Sequence, residues 1–281
     1  MRSLAAPSRS NRWPVRVGPP AVPDCPVGWR VGPPSFVGVG SHRCGTTWWF
    51  DAVASHPFVD TLPGQPKELH FFDRFCWTAF DDAAIDAYSR YFPHRPGHIA
   101  GEWTPRYMHD AWTPALLGRS APDAKLIALV RDPIERYLSG LAFDRVRGAP
   151  DHATVASDAL HRGFYHRQLR HVLKHFDRSR VLVLQYERCI VDARTQLLET
   201  FRFLGLDEWM PKSEVLDHRT NATRVAKPRL TTSQVSDLVE CYEDDVTELV
   251  RLFPSIDLEL WPHFSHLGSE ASRVDSVRVL P

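Results

Sequence analysis

The sequence predicts an α/β fold, a three-layer sandwich in which a mainly parallel central sheet is flanked by helices. Three observations lead there. Short apolar runs alternate along the chain with helical patterns, the arrangement of strand, crossover helix and strand. The strongest run, Leu126-Ile127-Ala128-Leu129-Val130, is uninterrupted, as a strand buried on both faces has to be. A Gly-bearing turn joins the first run, Phe36-Val37-Gly38-Val39-Gly40, directly to a helical pattern.

The elements follow in order. Residues 1–34 hold eight prolines and little periodic apolar pattern, so they can repeat neither a helix nor a ladder and read as a mobile or loosely docked arm. The main domain is expected over residues 35–265, with 266–281 as a C-terminal tail. Strands are expected at 36–40, 98–101, 125–130 and 180–185. Helices are expected at 46–55, stopped by His56-Pro57, and at 81–91, 133–147, 162–176, 193–204 and 231–252. The 281 residues, 43% of them hydrophobic, suffice to bury a large core.

Composition excludes several function classes. Thirty-four basic residues balance thirty-four acidic ones, so the global basic excess of a nucleic-acid or membrane-surface binder is missing and any anion site is local. Five cysteines without a Cys-x-x-Cys pair argue against a zinc knuckle, a thioredoxin-type centre or a disulfide framework, and a reducing, cytoplasmic compartment is expected. No segment approaches the ~20 apolar residues of a membrane helix. Asn221-Ala222-Thr223 fits a glycosylation sequon and is read as a chance match. No heptad seam indicates an oligomer.

Gly40-Ser41-His42-Arg43-Cys44-Gly45-Thr46-Thr47 follows the first strand and opens the first helix, so its amides converge on one point at the positive end of the helix dipole, which suits a phosphate. The fold is therefore P-loop-like. The glycine spacing is that of G-x-x-x-x-G-K-[ST], yet Thr46 stands where the lysine belongs and Arg43 is the nearby cation. Without that lysine, γ-phosphate chemistry loses its main charge partner. A second anion site is read at Arg131-Asp132-Pro133-Ile134-Glu135. Asp132 is a good N-cap, Pro133 takes the first helical position and Glu135 completes a capping box. Arg131 then projects from the strand end, with Ser139 about two turns into the helix. Two anion motifs, each at the carboxyl end of a parallel strand, suit a nucleotide with phosphates at both ends.

These residues carry a family resemblance. Arg43-Cys44-Gly45-Thr46-Thr47-Trp48 resembles the phosphosulfate loop, [KR]-[SC]-G-T-T, of sulfotransferases that use 3′-phosphoadenosine-5′-phosphosulfate (PAPS). The segment from Arg131 to Ser139 resembles their 3′-phosphate motif. Lys67-Glu68-Leu69-His70-Phe71-Phe72 resembles the K-E-x-H-F-F segment of the Golgi heparan-type and related bacterial members, and Gly101-Glu102-Trp103-Thr104-Pro105-Arg106-Tyr107 their G-E-x-[ST]-P-x-Y segment near the acceptor cleft. The likeness runs from about Phe36 to Trp261 and thins at Arg224 to Arg229, where relatives often close a basic segment over the nucleotide. The cysteine pair and membrane anchor of the Golgi relatives are missing, so a bacterial-type soluble enzyme is the better match.

The resemblance implies a PAPS-dependent sulfotransferase with 3′,5′-ADP as product and no metal. Arg43, Cys44, Gly45, Thr46 and Thr47 would cradle the phosphosulfate, Trp48 would stack on adenine, and Arg131 and Ser139 would hold the 3′-phosphate. Glu68 or His70 would take the acceptor's proton, and Arg43 would offset charge on the departing oxygen. If the segment is extended, Glu68 and His70 share a face. The aromatics between Phe71 and Trp112 either line an acceptor pocket or pack sheet against helix. The acceptor is a hydroxyl or amine of a sugar, lipid or small molecule. Rival readings are a P-loop kinase or nucleotide triphosphatase, with Val130-Arg131-Asp132 imitating a metal-binding strand end, and a catalytically silent module that binds a sulfated partner.

Overall fold

The computed structural model describes residues 20–146, 152–217 and 226–268. The Asn221-Ala222-Thr223 sequon and Arg224 lie outside them. The end of the proline-rich stretch is docked: β1 (Arg30–Val31) pairs antiparallel with β3 (Pro93–His94), and Tyr91 donates to the Pro20 carbonyl at 2.6 Å. Among the described residues no helix is long and apolar enough to cross a membrane.

The central sheet has four parallel strands: β2 (Phe36–Gly40), β4 (Gly101–Trp103), β5 (Lys125–Val130) and β6 (Val181–Gln185), in the order β4-β2-β5-β6. Alternation along the strands divides the core in two, because successive side chains point to opposite faces. Val37, Val39, Leu126, Ala128, Val130 and Val183 face one layer, which contains Tyr88 of α2 (Asp82–Ser89), Leu117 of α3 (Thr113–Ser120), Leu169 of α6 (Tyr165–Val172) and Val246 of α10 (Thr232–Leu252). Phe36, Ile127, Leu129 and Leu184 face the other, with Trp49 of α1 (Thr46–Ala54) and Phe201 of α8 (Ala193–Leu204). Sheet and two helical layers give the expected sandwich. Helix ends are set by sequence: Asp81 caps α2 through the Ala84 amide, Thr231 and Gln234 form a reciprocal capping box on α10, and Gly205, at φ 79°, ends α8.

Two expectations shift. The strand expected at 98–101 is β4, three residues later, because its charged Glu102 broke the apolar run that the reading followed. The helix expected at 162–176 is broken at its start. The preceding α5 (His152–His161) ends before Gly163, where a Cβ would lie 2.6 Å from the Tyr242 hydroxyl, and that hydroxyl donates to the Leu160 carbonyl at 2.7 Å. The remaining helices are α4 (Pro133–Val146), α7 (Tyr186–Val191) and α9 (Ser213–Asp217).

Close approach fixes Gly38, where a Cβ would lie 1.9 Å from the Trp103 indole. Gly38→Ala is expected to lower stability by about 1–3 kcal/mol through overpacking, read as a lower urea midpoint. Gly118→Ala, in α3, whose Cβ would make only ordinary contacts with His175 and Phe176, is expected to be neutral or stabilising by up to about 1 kcal/mol.

Candidate functional site

All four central strands are parallel, so their carboxyl ends lie on one edge, and the loops leaving β2, β4 and β5 meet there. Among the described residues only Arg43 (φ 69°) and His70 (φ 52°) are non-glycine residues with positive φ. That region costs an L-residue roughly 1–2 kcal/mol, and strain of this kind gathers at functional sites.

In the first loop Gly45 stands at the N-cap of α1 with φ 79°. A Cβ there would lie 2.6 Å from the Tyr186 ring, so both conformation and space require glycine. The first amides of α1 lie beside Gly45 at the positive end of the helix dipole, and the first intrahelical bond runs from the Trp49 amide to the Gly45 carbonyl at 3.1 Å. Arg43 donates from Nε to Ser139 Oγ at 3.3 Å, and its guanidinium lies 4.5 Å from the Phe143 ring centroid. The first loop and the second anion motif are thus in direct contact across 96 residues of sequence.

Two residues of this loop depart from expectation. Cys44 is fully buried with its thiol 3.7 Å from the Tyr165 hydroxyl, and burial pushes its pKa up to about 12, so it stays neutral and turned from the loop's open side. Its amide is also used, donating to the Ser41 carbonyl at 3.3 Å. Trp48 is 2% exposed, donates its indole N–H to the Leu216 carbonyl at 3.0 Å, and packs edge-on against Trp49 and Tyr186. The expected adenine-stacking face is enclosed in the core. Leu216 of α9 (Ser213–Asp217), Trp49 and Tyr186 cover the ring, and burial of so large an apolar surface is favourable.

Arg131 leaves β5 as Tyr186 leaves β6, and the register Val130↔Gln185 brings the guanidinium over the ring at 5.0 Å. It also bonds Glu135 at 3.2 Å, while its buried Nε has no partner. Lys227 pairs with the same Glu135, so one residue from the 224–229 stretch joins this cluster. Asp132 is the N-cap, accepting from the Ile134 and Glu135 amides at 2.9 and 3.1 Å. The capping box is not reciprocal, however. Glu135 turns to Arg131 and Lys227, and the Asp132 amide goes instead to Glu187 at 3.0 Å. His263 closes the turn on the second Asp132 oxygen at 2.9 Å, and this bond raises the His263 pKa.

The segment after Lys67 is not extended. It turns at His70 into a 3-10 helix, Phe71–Cys76. Glu68 and His70 nevertheless meet: His70 Nε2 lies 3.1 Å from Glu68 Oε2 and its Nδ1 3.0 Å from Asp73 Oδ2. Burial alone would lower the His70 pKa, but bonds to Asp73 and Glu68 raise it to about 9. Burial alone would raise Glu68, but the bond to His70 and the charge and bond of Lys67 bring it to about 2. Near neutral pH the array is an imidazolium between two carboxylates, so Glu68 rather than His70 has an open lone pair. Lys67 lies 2.9 Å from Glu68 Oε1 and 3.2 Å from Thr46 Oγ1, linking this array to the first loop.

Beneath the segment lies Glu102, 1% exposed, which accepts four hydrogen bonds, from the Leu69 amide and the Tyr88, Thr104 and Tyr107 hydroxyls. Thr104 and Tyr107 in turn accept from the His70 and Phe71 amides at 3.3 and 3.0 Å. Phe71, Phe72, Tyr88, Tyr91, Trp103 and Tyr107 are all buried, so these aromatics pack the core. Lys67, Asp73, Glu102 and Glu187 are the site residues to which the sequence reading gave no role. Of these, Asp73 and Lys67 were visible as charged neighbours of Glu68 and His70.

An open pocket of about 720 Å³ adjoins this edge, reached past Met108, whose sulfur lies 3.6 Å from the Ser41 hydroxyl. It is lined by Arg167, Arg170, Lys174 and four histidines, with no carboxylate. Among the described residues no group of three or more His, Cys, Asp or Glu is placed to hold a metal ion.

The array's charge state is open to test. A raised His70 pKa contributes stability that is complete below about pH 6.5 and is lost as pH rises towards about 9. The lowered Glu68 pKa contributes stability that is complete above about pH 4.5 and is lost as pH falls towards about 2. NMR titration is expected to place the His70 imidazole near 9 and to move it down in Asp73→Asn. His70→Asn is expected to remove the alkaline loss of stability; a His70 titration near 6.5 would contradict the array.

Residues 33–243 match the family model described as a sulfotransferase domain. Human heparan sulfate glucosamine 3-O-sulfotransferase 3B1 is 30% identical over 189 residues, covering 62% of this chain and 46% of its own length. Human heparan sulfate glucosamine 3-O-sulfotransferase 6 is 29% identical over 205 residues, covering 68% of this chain and 58% of its own length. The chain thus spans about half the length of these relatives. A sulfotransferase structure from Alicyclobacillus acidocaldarius superposes with a TM-score of 0.64 over 82% of this chain and 99% of that one, at 20% identity, a likeness of fold.

Proposed function

Because the chain belongs to the sulfotransferase domain family, we propose that it moves the sulfuryl group of PAPS to a hydroxyl or amine of an anionic carbohydrate, with Glu68 as base. The acceptor oxygen attacks sulfur in line, its proton passes to Glu68, and the bond from sulfur to the bridging oxygen breaks with its electron pair remaining on 3′,5′-ADP. His70, held charged between Glu68 and Asp73, orients the base. Arg131, with its unpartnered buried Nε, and Ser139 receive the 3′-phosphate. Arg43 and the first-turn amides of α1 receive the phosphosulfate.

One contact carries this reading: Lys67 bridges Thr46 at 3.2 Å and Glu68 at 2.9 Å, so the base array meets the donor loop. The acceptor class is supported by the cationic pocket beside the loop. Arg167, Arg170 and Lys174 form no ion pair among the described residues, which suits a carboxylate- or sulfate-bearing sugar. The names of the heparan sulfate enzymes point the same way. A kinase or nucleotide triphosphatase fits less well, because Asp132, fully buried, spends both oxygens on the α4 amides and His263 and has none left for a metal.

Calorimetric titration tests the donor. 3′,5′-ADP is expected to bind while 5′-AMP and magnesium-ATP bind weakly. Arg131→Ala is expected to weaken 3′,5′-ADP roughly tenfold to a hundredfold, the worth of a charge-assisted hydrogen bond. Preference for magnesium-ATP would overturn the reading.

A further inference from the structure

We propose that Lys67 supplies the cation that the first loop lacks at position 46, directing an N–H of its ammonium to the phosphosulfate oxygens of the donor. The inference rests on the donor reading above and adds a catalytic residue to it. In a nucleotide-triphosphatase loop the lysine after the second glycine carries the charge that meets the transferred group. Here that position is Thr46, and its hydroxyl accepts from Lys67 Nζ at 3.2 Å. An ammonium from a different segment therefore lies within hydrogen-bond distance of the residue that stands in the loop lysine's place.

Three features fit Lys67 to that task. An ammonium has three N–H donors; Thr46 and Glu68 take two, and among the described residues no further partner occupies the third. The side chain is 12% exposed, so the charge is confined rather than solvated, and burial pulls its pKa down despite Glu68, a penalty that a bound anion would relieve. The loop's own cation, Arg43, contacts Ser139 and Phe143 on the side of the second anion motif, so Lys67 adds a second cation at the Thr46 end of the loop. The backbone holds it there, since the Lys67 carbonyl accepts from the Trp103 amide at 2.9 Å.

In transfer, Lys67 keeps its three protons. As the new S–O bond forms and the bond to the bridging oxygen breaks, negative charge moves onto the 5′-phosphate, and the fixed ammonium offsets it. The same residue touches Glu68, so one cation faces both the group that departs and the group that takes the acceptor's proton.

The test compares 3′,5′-ADP with adenosine 3′-phosphate, which lacks the 5′-phosphate, by calorimetry on wild type, Lys67→Met and Lys67→Arg, with unfolding midpoints recorded alongside. Lys67→Met is expected to weaken 3′,5′-ADP about tenfold or more, to leave adenosine 3′-phosphate within twofold, and to lower kcat about a hundredfold. Lys67→Arg is expected to recover part of both losses. Unchanged binding of 3′,5′-ADP by Lys67→Met, or equal loss of both ligands, would overturn the proposal. If wild type itself binds 3′,5′-ADP no better than adenosine 3′-phosphate, the donor reading fails first and the role of Lys67 fails with it.

Discussion

Two adjacent residues of one short strand organise the site. Glu102 and Trp103 of β4 are 1% and 0% exposed, and the pleat sends them to opposite faces of the sheet. On one face the Glu102 carboxylate gathers the Leu69 amide, Tyr88, Thr104 and Tyr107, and through the last two it fixes the amides of His70 and Phe71. On the other face Trp103 donates its indole N–H to the Gly40 carbonyl at 3.0 Å, where the first loop begins. The Leu69 amide and three hydroxyls converge on the Glu102 carboxyl, whose pKa burial raises. Removing it would strand several buried polar groups at roughly 1–3 kcal/mol each. The Glu68, His70 and Asp73 array and the first loop are thus positioned from a common strand.

The electrostatics extend the same scheme. Carboxylates that lie far apart in sequence are used to fix cations and amides: Asp73 and Glu68 hold the His70 imidazolium, Glu135 holds Arg131 and Lys227, and Glu187 holds the Asp132 amide and the Trp261 indole. In a chain with no net charge, pairing of this kind fixes the positions of basic groups beside the carboxyl ends of the strands. The left-handed backbone at Arg43 and His70 is the conformational cost of aiming both inward, carried by a sheet buried on both faces.

Most of this fold was legible because the parallel strands are continuous apolar runs and the helices carry recognisable caps. Asp81, Thr231 with Gln234, and Gly205 stand where the patterns begin or end. The misreadings have one origin, since local patterning carries no tertiary information. Glu102 concealed β4 because its partners come from α2 and from the stretch after the strand. Glu187 displaced Glu135 from the capping box because β6 lies beside β5. For Trp48 a motif records residue type and not its surroundings, here the Leu216 carbonyl and the rings of Trp49 and Tyr186. Glu68 and His70 were recovered as neighbours even though the segment is turned rather than extended, and His70 lies between the carboxyl groups of Glu68 and Asp73.

Sulfuryl transfer at this edge of the sheet, with Glu68 as the proposed base, can be measured directly. The most direct measurement follows radiolabelled sulfate from PAPS to a uronate-bearing oligosaccharide and to its uncharged counterpart, with wild type and Glu68→Gln at equal occupancy by donor. Labelled anionic oligosaccharide is expected from wild type, with a loss of about 10²- to 10⁴-fold in Glu68→Gln. Undiminished transfer by Glu68→Gln would contradict the proposal, and so would preference for the uncharged sugar.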